Sequence, residues 1–134
     1  MNMQKTQDGF TLIELVVVIA ILGIIGLIAI PKYIEVTATA KDNALKAQLG
    51  TIRAALAVSY ANTALTTGTA AYPSPNITGA LFADGQVPQD PYFNGSTVDA
   101  VSENPISTFS DDGGWIYNPA TGEVRADVAD KHSY

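Results

Sequence analysis

From Phe10 to Ile30 the chain runs for 21 residues in which only Thr11 and Glu14 interrupt apolar side chains and glycine, and Pro31 closes the run. A helix crossing the hydrocarbon core of a bilayer needs about 20 such residues, so this stretch is long enough to span one. A plain membrane anchor and a removable secretory signal are the simple readings. Ala38-Thr39-Ala40 supplies an A-x-A cleavage pattern for the second, but it lies eight residues beyond Ile30, and Lys5 is the lone basic side chain ahead of the run. The run also exceeds the roughly 7–15 residues of a signal core, so it is read as a retained span.

Neither simple reading accounts for Glu14. An acidic side chain in a span costs about 2.5–3.5 kcal/mol at the bilayer centre, less near the end, and usually marks function. The nearest cation in its own sequence is Lys5, on the polar side of Gly9, so a single helix leaves the carboxylate badly paired. A new amino group at Phe10 of a neighbouring copy would pair with it.

Gly9-Phe10-Thr11-Leu12-Ile13-Glu14-Leu15, followed by Val16 through Ile30 and Pro31, resembles the type IV prepilin signal, which type IV pilins share with the pseudopilins of type II secretion. The resemblance implies that a prepilin peptidase cuts after Gly9, removes residues 1–9 as a leader, and methylates the exposed amine of Phe10. It implies that Glu14 contacts that still-cationic amine on a neighbouring subunit, recruiting each new subunit and fixing its register. It also implies a single pass through the inner membrane before assembly, with the head outside the cytoplasm, and an assembly platform in that membrane. The final location would be a surface pilus or a periplasmic pseudopilus. Orientation rests on the resemblance, because Lys5 and Lys32 nearly tie in flanking positive charge.

Gly23, Gly26 and Pro31 soften the helix: glycine costs about 1 kcal/mol relative to Ala, and proline removes a backbone donor. These are either tolerated weak points in a packed span or places where the helix partly unwinds, and the resemblance favours local extension there on assembly, which places Gly23 and Pro31 with Glu14 among the assembly residues of the filament-core segment, residues 10–31. Beyond Pro31, Leu45, Leu49, Ile52, Leu56 and Tyr60 recur at helical spacing, with Lys46 and Arg53 off the stripe. Residues 32–65 are thus read as an amphipathic continuation that packs on its own domain. A continuous helix from Phe10 to about Ala64 would reach about 80 Å.

Residues 66–134 read as a loop-rich head. Pro73, Pro75, Gly79, Gly85, Pro88, Pro91 and Gly95 punctuate it, and Gly114 to Asn118 followed by Pro119-Ala120-Thr121-Gly122 and Glu123 to Val128 reads as a hairpin. Alternation puts Trp115 and Tyr117 on one face, and Val124, Ala126 and Val128 opposite Glu123, Arg125 and Asp127. Without cysteine, a head this small has too little core alone, so the helical stripe must complete it. The predicted class is α+β, a long N-terminal α-helix packed on a small antiparallel sheet, the pilin fold.

Charge is divided along the chain. Lys32 to Leu65 holds four basic and two acidic residues, whereas Thr66 to Tyr134 sets Arg125 and Lys131 against nine carboxylates. Such a head repels phosphate, so no direct nucleic-acid binding is expected of it. No nucleophile motif, P-loop or cysteine supplies a catalytic constellation, and His132 reads as a solvated tail residue. The loop acids, Asp111 and Asp112 foremost, are calcium candidates, though their spacing is not that of an EF-hand. No cofactor is otherwise expected.

The function implied is a non-catalytic subunit that polymerises through its N-terminal helix into a type IV pilus-like filament for adhesion, motility or other surface roles. The alternative is a type II secretion pseudopilin. A third reading is a membrane-anchored domain that never polymerises and keeps its N-terminus.

Overall fold

The computed structural model describes residues 9–134; the predicted leader, apart from Gly9, lies outside the described residues. Helix α1 spans Leu12–Thr67, followed by a 3-10 turn at Gly79–Leu81 and three strands, β1 Val98–Ala100, β2 Trp115–Tyr117 and β3 Val124–Ala126. Two compact units are present, Met1–Thr39 and Ala40–Tyr134.

In the first unit α1 begins at Leu12 and runs through Pro31 without a break. The helix ends at Thr67, about two turns beyond Tyr60. Gly68 takes φ +74° and donates its N–H to the Ala64 carbonyl at 3.0 Å, a left-handed closure that glycine adopts without a Cβ penalty.

The second unit has its core where Leu45, Leu49, Ile52 and Leu56 of α1 meet Ile77, Trp115, Tyr117, Val124 and Ala126. The predicted stripe and hairpin therefore form one core. Tyr60 departs from the stripe: it is partly exposed, and its ring packs 4.5 Å from that of Tyr72. The hairpin is antiparallel as expected, with Trp115 opposite Ala126 and Tyr117 opposite Val124. Strand β1 is an addition to the expected sheet, because it pairs parallel to β2, Val98 beside Trp115, and makes the sheet mixed. Its three residues are half-buried or exposed, so no apolar alternation announces it.

Both faces of β2 are buried, since Ile116 is also covered on the side away from the helical stripe. Two successive glycines lead the chain into this strand. Gly114 has φ +86°, and a Cβ there would lie 2.5 Å from the Thr97 carbonyl oxygen, so the approach of β1 to β2 requires glycine.

A clasp of charged and aromatic groups holds the C-terminal residues on α1. The Lys131 ammonium lies 2.9 Å from Asp42, the Tyr92 hydroxyl donates to the same carboxylate at 2.5 Å, and Lys46 sits 4.3 Å above the Tyr134 ring. The hydrogen bond from Tyr92, then that from Lys131, holds the Asp42 carboxyl below the usual range. The bond to Asp42 raises Lys131 in turn. Arg53 adds a bond from α1 to the Val124 carbonyl at 3.1 Å.

Candidate functional site

The first candidate surface is the start of α1. Thr11 is its N-cap, and Glu14 stands three residues on. The Glu14 N–H donates to Thr11 Oγ1 at 3.3 Å, while Glu14 Oε2 accepts from Thr11 N and Thr11 Oγ1, each at 2.9 Å. This reciprocal arrangement is a capping box, in which the Thr and Glu side chains satisfy N–H groups that the first helical turn leaves without partners. Sequence reasoning missed it, although Thr-x-x-Glu before an apolar run is its signature. Glu14 thus has a local structural role beyond any intersubunit one.

Capping supplies hydrogen bonds but no counter-charge. Among the described residues no cationic side chain forms an ion pair with Glu14. Phe10 is largely exposed, and with Ile13, Val17 and Val18 it borders a shallow groove beside the carboxylate. Every large apolar side chain from Leu12 to Ile30 is exposed, Leu27 at 78% among them. Gly9, Gly23 and Gly26 have no heavy atom within 4 Å of where a Cβ would stand, so nothing among the described residues demands glycine at these positions.

The acidic loops behave differently from expectation. Alternation put Asp127 outward, yet it is fully buried: Oδ1 accepts the N–H groups of Ser110 and Asp111 at 3.0 Å each, and Oδ2 accepts the Ser110 hydroxyl at 2.5 Å. Asp90 is also fully buried, with Oδ1 accepting from the N–H groups of Tyr92 and Phe93 and Oδ2 from those of Gly95 and Gly114. Each carboxylate supplies the acceptors that an irregular backbone cannot find within itself. Two residues counted as surface charge are therefore internal staples. Buried Asn118 does the same for the hairpin turn, accepting from Ala120 N–H and donating to the Glu103 carbonyl. Glu103 collects the N–H and hydroxyl groups of Ser107 and Thr108, hydrogen bonds that lower its carboxyl below the usual range.

His132 is not a free tail residue. Its ring stacks on Phe109 at 3.7 Å, its Nε2 lies 2.6 Å from Asp111, and its carbonyl accepts from Arg125. The calcium candidates Asp111 and Asp112 do not converge on one point. Asp111 groups with Asp127 and His132, and Asp112 with Asp99 and Asp127.

Comparison with known proteins adds to this geometry. The family model described as "Prokaryotic N-terminal methylation motif" matches residues 4–30. The chain is 43% identical over 54 residues to the "Type IV major fimbrial protein FimA" of Dichelobacter nodosus, which covers 40% of this chain and 35% of that protein. It is 62% identical over 34 residues to a "Fimbrial protein" of Pseudomonas aeruginosa, covering 25% of this chain and 22% of the relative. A third relative, the "Type IV major pilin protein PilE1" of Neisseria gonorrhoeae, is 54% identical over 39 residues, covering 29% of this chain and 24% of the relative. The chain thus spans about a third or less of the length of these relatives. No solved structure matches. In its N-terminal methylation motif and in these partial likenesses, the chain is similar to type IV pilins and fimbrial proteins.

Proposed function

We propose that the chain is the structural subunit of a type IV pilus-like filament, cut by a prepilin peptidase between Gly9 and Phe10 and polymerised through residues 10–31. The observation that carries this reading is the state of α1 from Leu12 to Ile30, where a continuous apolar surface buries nothing of itself and carries one carboxylate near its start. Lipid covers such a surface before assembly, and the same segments of neighbouring subunits cover it afterwards. Glu14 then has two tasks. In each chain it closes the capping box with Thr11, and across subunits it meets the cationic amine of Phe10, whose charge survives methylation.

The named relatives are fimbrial proteins and pilins, which favours a pilus over a secretion pseudopilus. The subunit is bound to the inner membrane before assembly, with its head outside the cytoplasm, and catalyses nothing.

The test is Glu14→Gln against Glu14→Ala. Gln retains the capping-box acceptor and removes the charge, whereas Ala removes both. Both variants are expected to be processed and to stay in the membrane, with filament yield falling about tenfold or more in each because the charge partner is lost. Normal filaments from Glu14→Gln, by electron microscopy of sheared surface material, would reduce Glu14 to a helix cap.

A further inference from the structure

Asn94-Gly95 is the one place in the chain where glycine follows asparagine. That pair is chemically labile, because a glycine amide nitrogen, unhindered by a Cβ, can attack the preceding side-chain amide. Asn94 is exposed, at the tip of the loop between Asp90 and Gly95, with φ +57°. Water therefore reaches it. Attack requires the Gly95 nitrogen to lose its proton and swing onto Asn94 Cγ.

The structure directs that nitrogen elsewhere. The Gly95 N–H donates to Asp90 Oδ2 at 2.8 Å, the Gly95 carbonyl accepts from Asp90 N–H at 2.8 Å, and the Asn94 N–H donates to the Asp90 carbonyl at 2.9 Å. Three bonds thus fix the peptide units on both sides of the reacting bond. The carboxylate that takes the Gly95 proton donor is fully buried and is anchored separately by Tyr92, Phe93 and Gly114. A fixed negative charge beside the nitrogen also opposes the amide anion that the reaction needs.

We propose that Asn94-Gly95 is a latent deamidation site, held closed by Asp90 while the head is folded and opened when this loop unfolds. In the open loop, base removes the Gly95 amide proton, an N–Cγ bond forms, and the Cγ–Nδ2 bond breaks with loss of ammonia. Water then opens the cyclic imide at either carbonyl, leaving aspartate or isoaspartate; the net change is the addition of one water and the loss of one ammonia, with no redox step. Isoaspartate inserts a methylene into the main chain between residue 94 and Gly95. The Gly95 amide then no longer fits Asp90, so a head that has opened and reacted cannot reclose in the same way. The loop records unfolding irreversibly, whatever the chain assembles into.

The full-length chain in detergent, held at one pH and temperature with and without urea, tests this by mass spectrometry of the peptide containing Asn94. Deamidation is expected to be slower by about tenfold or more in the folded chain, the ratio reflecting the free energy of opening the loop. Asp90→Asn, provided it folds, should close most of that gap. Equal rates in the folded and urea-treated wild type would overturn the proposal, as would a folded Asp90→Asn that reacts no faster than wild type. Should that variant not fold, hydrogen exchange at the Gly95 amide of the wild type decides. Slow exchange is expected, and exchange as fast as at an exposed loop amide would overturn it.

Discussion

Two stretches of the same helix, Leu12–Ile30 and Leu45–Leu56, solve opposite problems. The first is apolar on every side but for Glu14 and exposes all its large side chains, so among the described residues nothing packs against it. The second buries four residues on one side, against a small sheet and the loops around it. A helix that is apolar all round must be covered by something outside itself, whereas a striped helix is covered by its own domain. The first stretch therefore carries the information about assembly, and the second carries the stability of the head.

The sharpest way to break this contrast is by truncation. A chain starting at Lys32 loses the apolar stretch and keeps the complete core, and is expected to be soluble and to unfold cooperatively. A chain starting at Thr66 loses Leu45, Leu49, Ile52 and Leu56, and is expected to show no cooperative transition at all. Circular dichroism on heating separates the two outcomes. A cooperative transition in the shorter chain would mean that the head does not depend on the helical stripe.

A smaller effect probes how the head does without disulfides. Asp127→Ala removes a buried carboxylate and leaves the N–H groups of Ser110 and Asp111 without their acceptor, and should cost about 2 kcal/mol by urea denaturation. Asp112→Asn, on an exposed side chain, should stay within about 0.5 kcal/mol of wild type. Equal effects from the two would remove the distinction between internal and surface carboxylates.

That distinction also marks the limit of what could be read from the residues alone. The apolar run, the stripe from Leu45 to Leu56 and the hairpin around Trp115 were legible because each follows a single period, of 3.6 or 2 residues. Asp90 and Asp127 were not, because a carboxylate buried against backbone N–H groups has the same sequence pattern as one in water. Strand β1 was hidden for a related reason: its pairing is set by the Gly113-Gly114 approach to Thr97, not by any alternation of its own. Glu14 stood out in the sequence as an acid in an apolar run, but its capping partner Thr11 went unread beside it.

The smallest expected effect is on the pH dependence of the head. Asp42 and Glu103 have lowered folded values, so the stability they contribute is present above the usual carboxylate range and is lost as pH falls below it through the lowered folded values. Lys131 is raised, so its contribution is present below the ordinary lysine value and is lost as pH rises through the folded one. Tyr117 is pushed up to about 12 by burial first and by Tyr72 second, so its neutral phenol favours the fold until pH climbs from 10 toward 12. Lys131→Met should shallow the loss of stability on both sides, by removing the Asp42 partner and the raised ammonium together. Unchanged limbs in thermal denaturation across pH would show that Lys131 contributes nothing measurable to the clasp.

The central claim, that the Leu12–Ile30 stretch belongs to a processed subunit and not to a plain anchor, is tested most directly by the intact mass of the protein isolated from cells with active prepilin peptidase. The account predicts a chain that begins at Phe10 and carries one added methyl group. A chain that still begins at Met1 and ends at Tyr134, without methylation, would contradict it.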